Sequence, residues 1–204
     1  MRRGAAPIER LGREFFARPT VEVARDLVGC SLHVDANAGQ HVVARIVEVE
    51  AYLGLGDPAS HAYRGPTPRA KIMFDAPGHL YVYLSRGIHH CANLVTESTG
   101  TAGAVLLRAA VVESGEDTVR ARRGAAPAAM ALLRGPGNLC RGLGLTLLDN
   151  GIDVCAPGSR VLVLEREQSP RVLTGRRVGI SVAADRLLRF AWSGHPAVSS
   201  PVRE

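Results

Sequence analysis

The stretch RIVEVEAYLGLGDPASHAYRG, Arg45 to Gly65, sets Glu48, Glu50 and Tyr52 at every second position and then runs into a loop of glycine, proline and histidine. Side chains along a strand alternate between two faces. The spacing therefore predicts Val47, Val49 and Ala51 on one face and Ile46, Glu48, Glu50 and Tyr52 on the other. The first face is core. The second is either a solvated surface or the wall of a cleft, and a tyrosine beside the acids with a long loop behind them favours the cleft.

Outward from this strand the chain reads as strands with a few helices. SLHV, LYVYL, IHHCANLV, AVLLRAAVV, RVLVLERE, RVGISV and LLRFAW are strand-like runs. Turn signals at Asn37-Ala38-Gly39 and Thr99-Gly100 join several of them at hairpin distances, which implies a largely antiparallel sheet. Two helices come first: IERLGREFF has helical spacing, and Thr20 caps a second helix that runs through Leu27 and stops at Gly29. Further helices interrupt the sheet between Glu116 and Gly144. Within that region Ser114 to Gly137 reads as two short helices or a mobile connection. GPGN, Gly135 to Asn138, reads as a helix start capped by Asn138, or as a turn able to hold a phosphate. The class is α+β.

At 204 residues the chain fits one domain, with residues 1–17 and 199–204 expected at its periphery. No apolar run approaches the roughly 20 residues that span a bilayer, and the N-terminus lacks the apolar core of a secretion signal, so the default expectation is cytoplasmic. Cys30, Cys91, Cys140 and Cys155 are widely spaced, which argues against a zinc ribbon and leaves four reduced thiols. Adjacent His89 and His90 would point to opposite faces, a poor chelating geometry. No metal or cofactor is expected. A net charge of +6 favours a polyanionic partner. All but one of the basic residues are arginine, which a GC-rich genome would also produce.

All four tyrosines, Tyr52, Tyr63, Tyr81 and Tyr83, fall between positions 52 and 83. A buried phenol needs a partner for its hydroxyl, so such a cluster near a carboxylate suits a pocket for a flat ring. In GHLYVYLSRGIHHCANLV, Ser85-Arg86-Gly87 reads as a three-residue hairpin loop with Gly87 left-handed. Leu84 then faces Ile88, Tyr83 faces His89 and Tyr81 faces Cys91, with Asn93 on the tyrosine side and Arg86 at the tip of a protruding β-hairpin.

These residues carry a resemblance. VEVEAYLG, His61, the TPR at Thr67 to Arg69, Met73-Phe74, PGHLYVYL with RGIHHCAN, VLLRA, RGPGNLC, and RVGIS with LRF together resemble the alkyladenine (3-methyladenine) DNA glycosylase family, in the family's order from about Arg18 to Val198. The resemblance implies a single domain on a curved antiparallel sheet, whose hairpin enters the minor groove of double-stranded DNA containing damaged purines and helps flip the lesion outward. Residue by residue, it implies that Glu50 is the carboxylate that activates water and that Arg108 supports the water site with the backbone at Val178. Tyr52 and Tyr83 would stack on the extruded base, and His61 would close the pocket and bond its edge. Asn93 would reject the exocyclic amine of guanine, and Met73 and Leu106 would line the wall. Arg86 stands where the family usually has a tyrosine wedge. Glu48 has no counterpart role and is expected to be structural or electrostatic.

A glycosylase that nicks the strand forms a Schiff base through an amine, and Lys71 is the only lysine. It sits where the family does no chemistry, so the expected product is an abasic site in an intact strand. The sequence alone does not rank 3-methyladenine, 7-methylguanine, hypoxanthine and ethenoadenine. A monomer is the simplest expectation. Two rivals remain at this level: a nucleic-acid-binding module without catalysis, and a carbohydrate hydrolase using Glu48 and Glu50 as an acid pair.

Overall fold

The structure, a computed structural model, describes residues 9–36 and 40–202. Helices α1 (Arg13–Phe16) and α2 (Thr20–Leu27) precede strands β1 (Ser31–Ala36), β2 (Gln40–Leu53), β3 (Leu80–Ser85), β4 (His89–Val95) and β5 (Gly103–Ser114). Helix α3 (Glu116–Arg123), strand β6 (Leu133–Arg134) and helix α4 (Pro136–Leu143) follow, and β7 (Val161–Leu164), β8 (Val172–Gly175) and β9 (Arg189–Trp192) complete the described elements. All nine strands join one curled antiparallel sheet in the order β3-β4-β5-β2-β1-β7, with β6 on β5 and β9 pairing both β2 and β8. The class is α+β in a single domain, as the alternating patterns require. No helix among the described residues is long and apolar enough to cross a membrane.

One sheet face carries the main core. Val49 and Ala51 of β2, Leu80 and Val82 of β3, Ala92 and Leu94 of β4, and Val105 and Leu107 of β5 are buried there with Val23 and Leu27 of α2 and Leu139 and Leu143 of α4. The opposite face of the same strands is half polar, and it carries the site. Tyr81, Val95 and Ala104 pack there with Ala62, Ala70 and Met73 from the loop between β2 and β3.

Several expectations need correction. The first predicted helix shrinks to the four residues of α1, because Arg10 instead forms a bridge to Leu164. Residues 9–17 are not peripheral, since Leu11 and Phe16 are buried in the main core. Thr20 does not cap α2 from outside. It is the first helical residue, and the carboxylate of Glu97 accepts its backbone N–H at 2.6 Å. Asn138 lies inside α4 and donates to Arg134 O at 2.8 Å, while Gly135 occupies the N-cap position. RVGISV is not a strand: β8 ends at Gly175, and residues 176–182 form an irregular strap across the sheet. The turn at Asn37-Ala38-Gly39 lies outside the described residues.

Candidate active site

The alternation expected along β2 breaks at one point. Ile46 pairs Ala110, Glu48 pairs Ala109 and Val49 pairs Leu107, so Val47 on β2 and Arg108 on β5 are each an extra residue in their ladder. These compensating bulges swap two side chains relative to the sequence reading. Ile46 joins the main core, and Val47 packs on the other face with Ala109 and Ala197. Bulges re-aim side chains at such places, and here they bring Arg108 over both acids while Glu48 and Glu50 still share a face.

Glu50 is fully buried. Its Oε2 accepts the Tyr52 hydroxyl at 3.0 Å, its Oε1 accepts the Val178 N–H at 2.7 Å, and Arg108 Nη1 stands 3.3 Å away. Burial pushes its carboxyl above the ordinary glutamate range, with Arg108, Val178 and Tyr52 pulling the other way. Burial also opposes the charge of Arg108, but Glu50 and Glu48 outweigh it and hold the guanidinium firmly protonated.

Glu48, equally buried, is saturated. It accepts from Arg108 Nε at 2.9 Å, Arg189 Nε at 2.7 Å, Ser199 N–H at 2.6 Å and Ser199 Oγ–H at 2.8 Å. Ser199, expected at the periphery, therefore closes the polar network under the site. Neither Arg189 nor Ser199 was legible as a site residue, since partners more than 140 positions from Glu48 leave no local pattern.

The aromatic residues gather on the same face. Tyr81 and Tyr83 lie 5.3 Å apart between ring centroids, and His61 meets Tyr83 edge-on at 4.6 Å. His61 Nδ1 is 2.9 Å from the Tyr81 hydroxyl. His61 stands at the rim with much of its surface open. Burial of its ring side, and then the charge of Arg69, push its pKa down to about 4, so the imidazole is neutral at pH 7. Asn93 is anchored by a 3.0 Å bond from Nδ2 to Tyr81 O. Tyr63 is exposed and outside the cluster, so three of the four tyrosines gather here.

Two cavities meet at Tyr52 and Tyr83. The inner one, about 140 Å³, is lined by those rings with His61, Met73, Tyr81 and Asn93, and by Ala59, Ala104 and Ile180. The outer cleft, about 430 Å³, adds Leu106, Arg108, Val178 and the hairpin residues Arg86 and His89, with the N-terminus of α4 on its far side. The outer volume lies within the roughly 300 to 1,000 Å³ usual for small-ligand sites. The hairpin register is offset by two residues from the one expected: Tyr81 faces Asn93, Tyr83 faces Cys91 and Ser85 faces His89. An even offset preserves the faces, so Asn93 and both tyrosines still share a side. Arg86 and Gly87 both have positive φ, and Ile88 N–H closes the turn on Ser85 O. Arg86 is exposed as expected, and Ile88, expected opposite Leu84, is 73% exposed beside it.

This site sits within a match to a known family. The family model described as methylpurine-DNA glycosylase (MPG) covers residues 14–196, nearly the whole chain. The chain belongs to the methylpurine-DNA glycosylase family. Curated relatives agree. A protein of Mycobacterium sp. (strain KMS) is 52% identical over 78% of this chain and 80% of its own, and one of Mycobacterium tuberculosis (strain ATCC 25618 / H37Rv) is 46% identical over 93% of each. A third, from Corynebacterium jeikeium (strain K411), is 48% identical over 91% of this chain and 90% of its own. All three carry the provisional name 3-methyladenine DNA glycosylase. In this glycosylase every residue expected to line the pocket borders one of the two adjoining cavities, and Glu50 lies directly behind Tyr52, Arg108 and Val178.

Proposed function

We propose that the protein swings an alkylated or deaminated purine out of duplex DNA and hydrolyses its N-glycosidic bond with a water activated by Glu50, leaving an abasic site in an intact strand. The observation that carries this reading is a buried carboxylate, braced by Arg108, Tyr52 and the Val178 N–H, at the back of a cleft walled by tyrosines. Glu50 Oε1 is shared by Val178 and Arg108, but Oε2 accepts only the Tyr52 hydroxyl and keeps a second acceptor position to which a water can donate. Glu50 takes a proton as the water oxygen bonds to C1′, the C1′–N bond breaks, and its electrons leave with the purine. A nearby negative charge also favours the oxocarbenium-like transition state. A cationic alkylated purine leaves as a neutral base and needs no proton. Neutral His61 binds a base edge but is no imidazolium acid, which favours cationic lesions.

Stacking of a flat base on Tyr52 and Tyr83 contributes about 1 to 3 kcal/mol per base, comparable with the few kcal/mol that extrusion costs. The exposed tip, Arg86 with Ile88, suits insertion into a groove. A hollow of about 580 Å³ beside the hairpin, lined by Arg122 and Arg141 with His89 and His90, suits a phosphate backbone. Lys71 is exposed on the short turn Lys71–Phe74 and lines neither cavity, which supports hydrolysis without strand cleavage. A non-catalytic nucleic-acid-binding module is the rival, whereas the two-acid hydrolase loses support because Glu48 is committed to Arg108, Arg189 and Ser199.

Duplexes carrying 3-methyladenine, ethenoadenine or hypoxanthine, assayed for free base and abasic strand, test the reading. Glu50→Gln is expected to slow excision by about 10²- to 10⁴-fold while lesion binding persists. Undiminished excision by that variant, or strand nicking without alkaline treatment, would overturn it.

A further inference from the structure

The strap after β8 contains a buried ion pair that the mechanism above does not use. Arg177 donates from Nη1 and Nη2 to the two carboxylate oxygens of Asp57 at 2.6 and 2.8 Å, and both side chains are completely buried. Arg177 Nη1 also donates to Ala51 O at 3.1 Å, and Asp57 accepts the Leu53 N–H at 3.1 Å. The pair thus ties three segments together: the end of β2 between Glu50 and Leu53, the loop from Asp57 to His61, and the strap. The next residue along the strap is Val178, whose N–H holds Glu50.

Arg177 also sits over the Tyr52 ring, with its guanidinium carbon 4.6 Å from the ring centroid. It lines neither cavity. Its Nε is buried without a partner. A guanidinium engaged only with Asp57 could rotate to satisfy that donor. The fork is held instead where it bonds Asp57 and Ala51 O and sits over the ring, a geometry a lysine ammonium cannot reproduce.

Resting on the function proposed above, we infer that Arg177, locked by Asp57, is a positioning residue: it sets the Val178 N–H against Glu50 and backs the Tyr52 ring on which the base stacks. It touches no reacting atom and acts through Val178 and Tyr52. Glu50 is faced by Glu48 and Tyr52 on β2, Arg108 on β5, Arg189 opposite it on β9, and Arg177 with Val178 on the strap. Among these, Arg108 and then the Val178 N–H favour the ionised carboxylate, so losing the clamp that holds Val178 in place must make Glu50 harder to deprotonate. The acid limb of the pH–rate profile then moves to higher pH.

The test uses the full chain with Asp57→Asn, Arg177→Lys and Arg177→Met, and two readouts. The first is hydrogen exchange at the Val178 amide, which does not depend on activity. The second is the single-turnover excision rate on a 3-methyladenine duplex across pH. Asp57→Asn and Arg177→Lys are each expected to speed Val178 exchange, slow excision by about 10- to 100-fold, as small misplacements of catalytic groups do, and shift the acid limb upward. Unchanged Val178 exchange, or a slower rate with an unmoved acid limb, would overturn the inference, as would full rescue by lysine. Arg177→Met removes charge and fork together, and if it does not fold, Asp57→Asn decides. Wild-type protein without excision on any lesion would sink the proposed function instead, and Val178 exchange would still judge the clamp.

Discussion

Glu48→Gln is the substitution that separates the two acids most cleanly. It is nearly isosteric, yet it takes one negative charge from a fully buried position where two guanidinium groups, Arg108 and Arg189, and both donors of Ser199 converge. All four partners are donors, so the new amide NH₂ must confront at least one of them. Removing one partner of a buried ion pair costs about 3 to 5 kcal/mol, and a domain of about 200 residues loses roughly 2 to 4 °C of Tm per kcal/mol. The expected fall in melting temperature is therefore about 6 to 20 °C by these figures, measured by calorimetry at pH 7. Glu50→Gln should behave differently. Burial raises the folded-state pKa of Glu50, so its ionised form costs stability at neutral pH, and that cost fades only as pH falls through the raised value. Neutralising Glu50 removes the cost along with its attraction to Arg108, and the melting temperature should stay within a few degrees of wild type. A Glu48→Gln protein that melts with the wild type would refute the reading of Glu48 as the charge centre of a buried network.

Arg108→Met removes the nearest positive charge holding Glu50 below the value that burial alone would give. The acid limb of excision should move to higher pH, and a limb that stays or moves down in single-turnover kinetics would contradict the geometry. His61 should titrate near pH 4. Its folded pKa lies below the unfolded value of about 6.5, so the stability it contributes is present above pH 6.5 and fades as pH falls toward 4. An NMR titration midpoint near 6.5 would show the ring to be free of Tyr81 and Tyr83. Arg86→Tyr puts a larger flat ring at the hairpin tip and should lengthen the lifetime of the complex on a lesion duplex. Unchanged dissociation in a stopped-flow trap experiment would show that position 86 does not fill the gap left by the extruded base.

Much of the site was legible because it lies on strands with a period of two. Tyr81, Tyr83 and Asn93 were expected on one side of the hairpin, and they share it although the register is offset, since an offset of two residues preserves the face. Glu48, Glu50 and Tyr52 were expected together for the same reason. Ile46 and Val47 changed places because a bulge obeys no local rule: it depends on which residue of β5 stands opposite, and there the extra residue is Arg108.

By itself, the sequence determined the α+β class, the antiparallel pairing of neighbouring strands and the residues that could form a tyrosine-walled pocket, because these follow from spacing over a few residues. Only the tertiary structure decided how each acid is partnered. Glu48 and Glu50 are chemically identical and two residues apart, and their difference lies in distant partners: Arg189 and Ser199 saturate the first, and Val178 braces the second. Contacts across more than 120 positions of chain leave no periodic trace, yet in a buried site they set which carboxylate is shared by two arginines and a serine and which is held by Val178 and Tyr52.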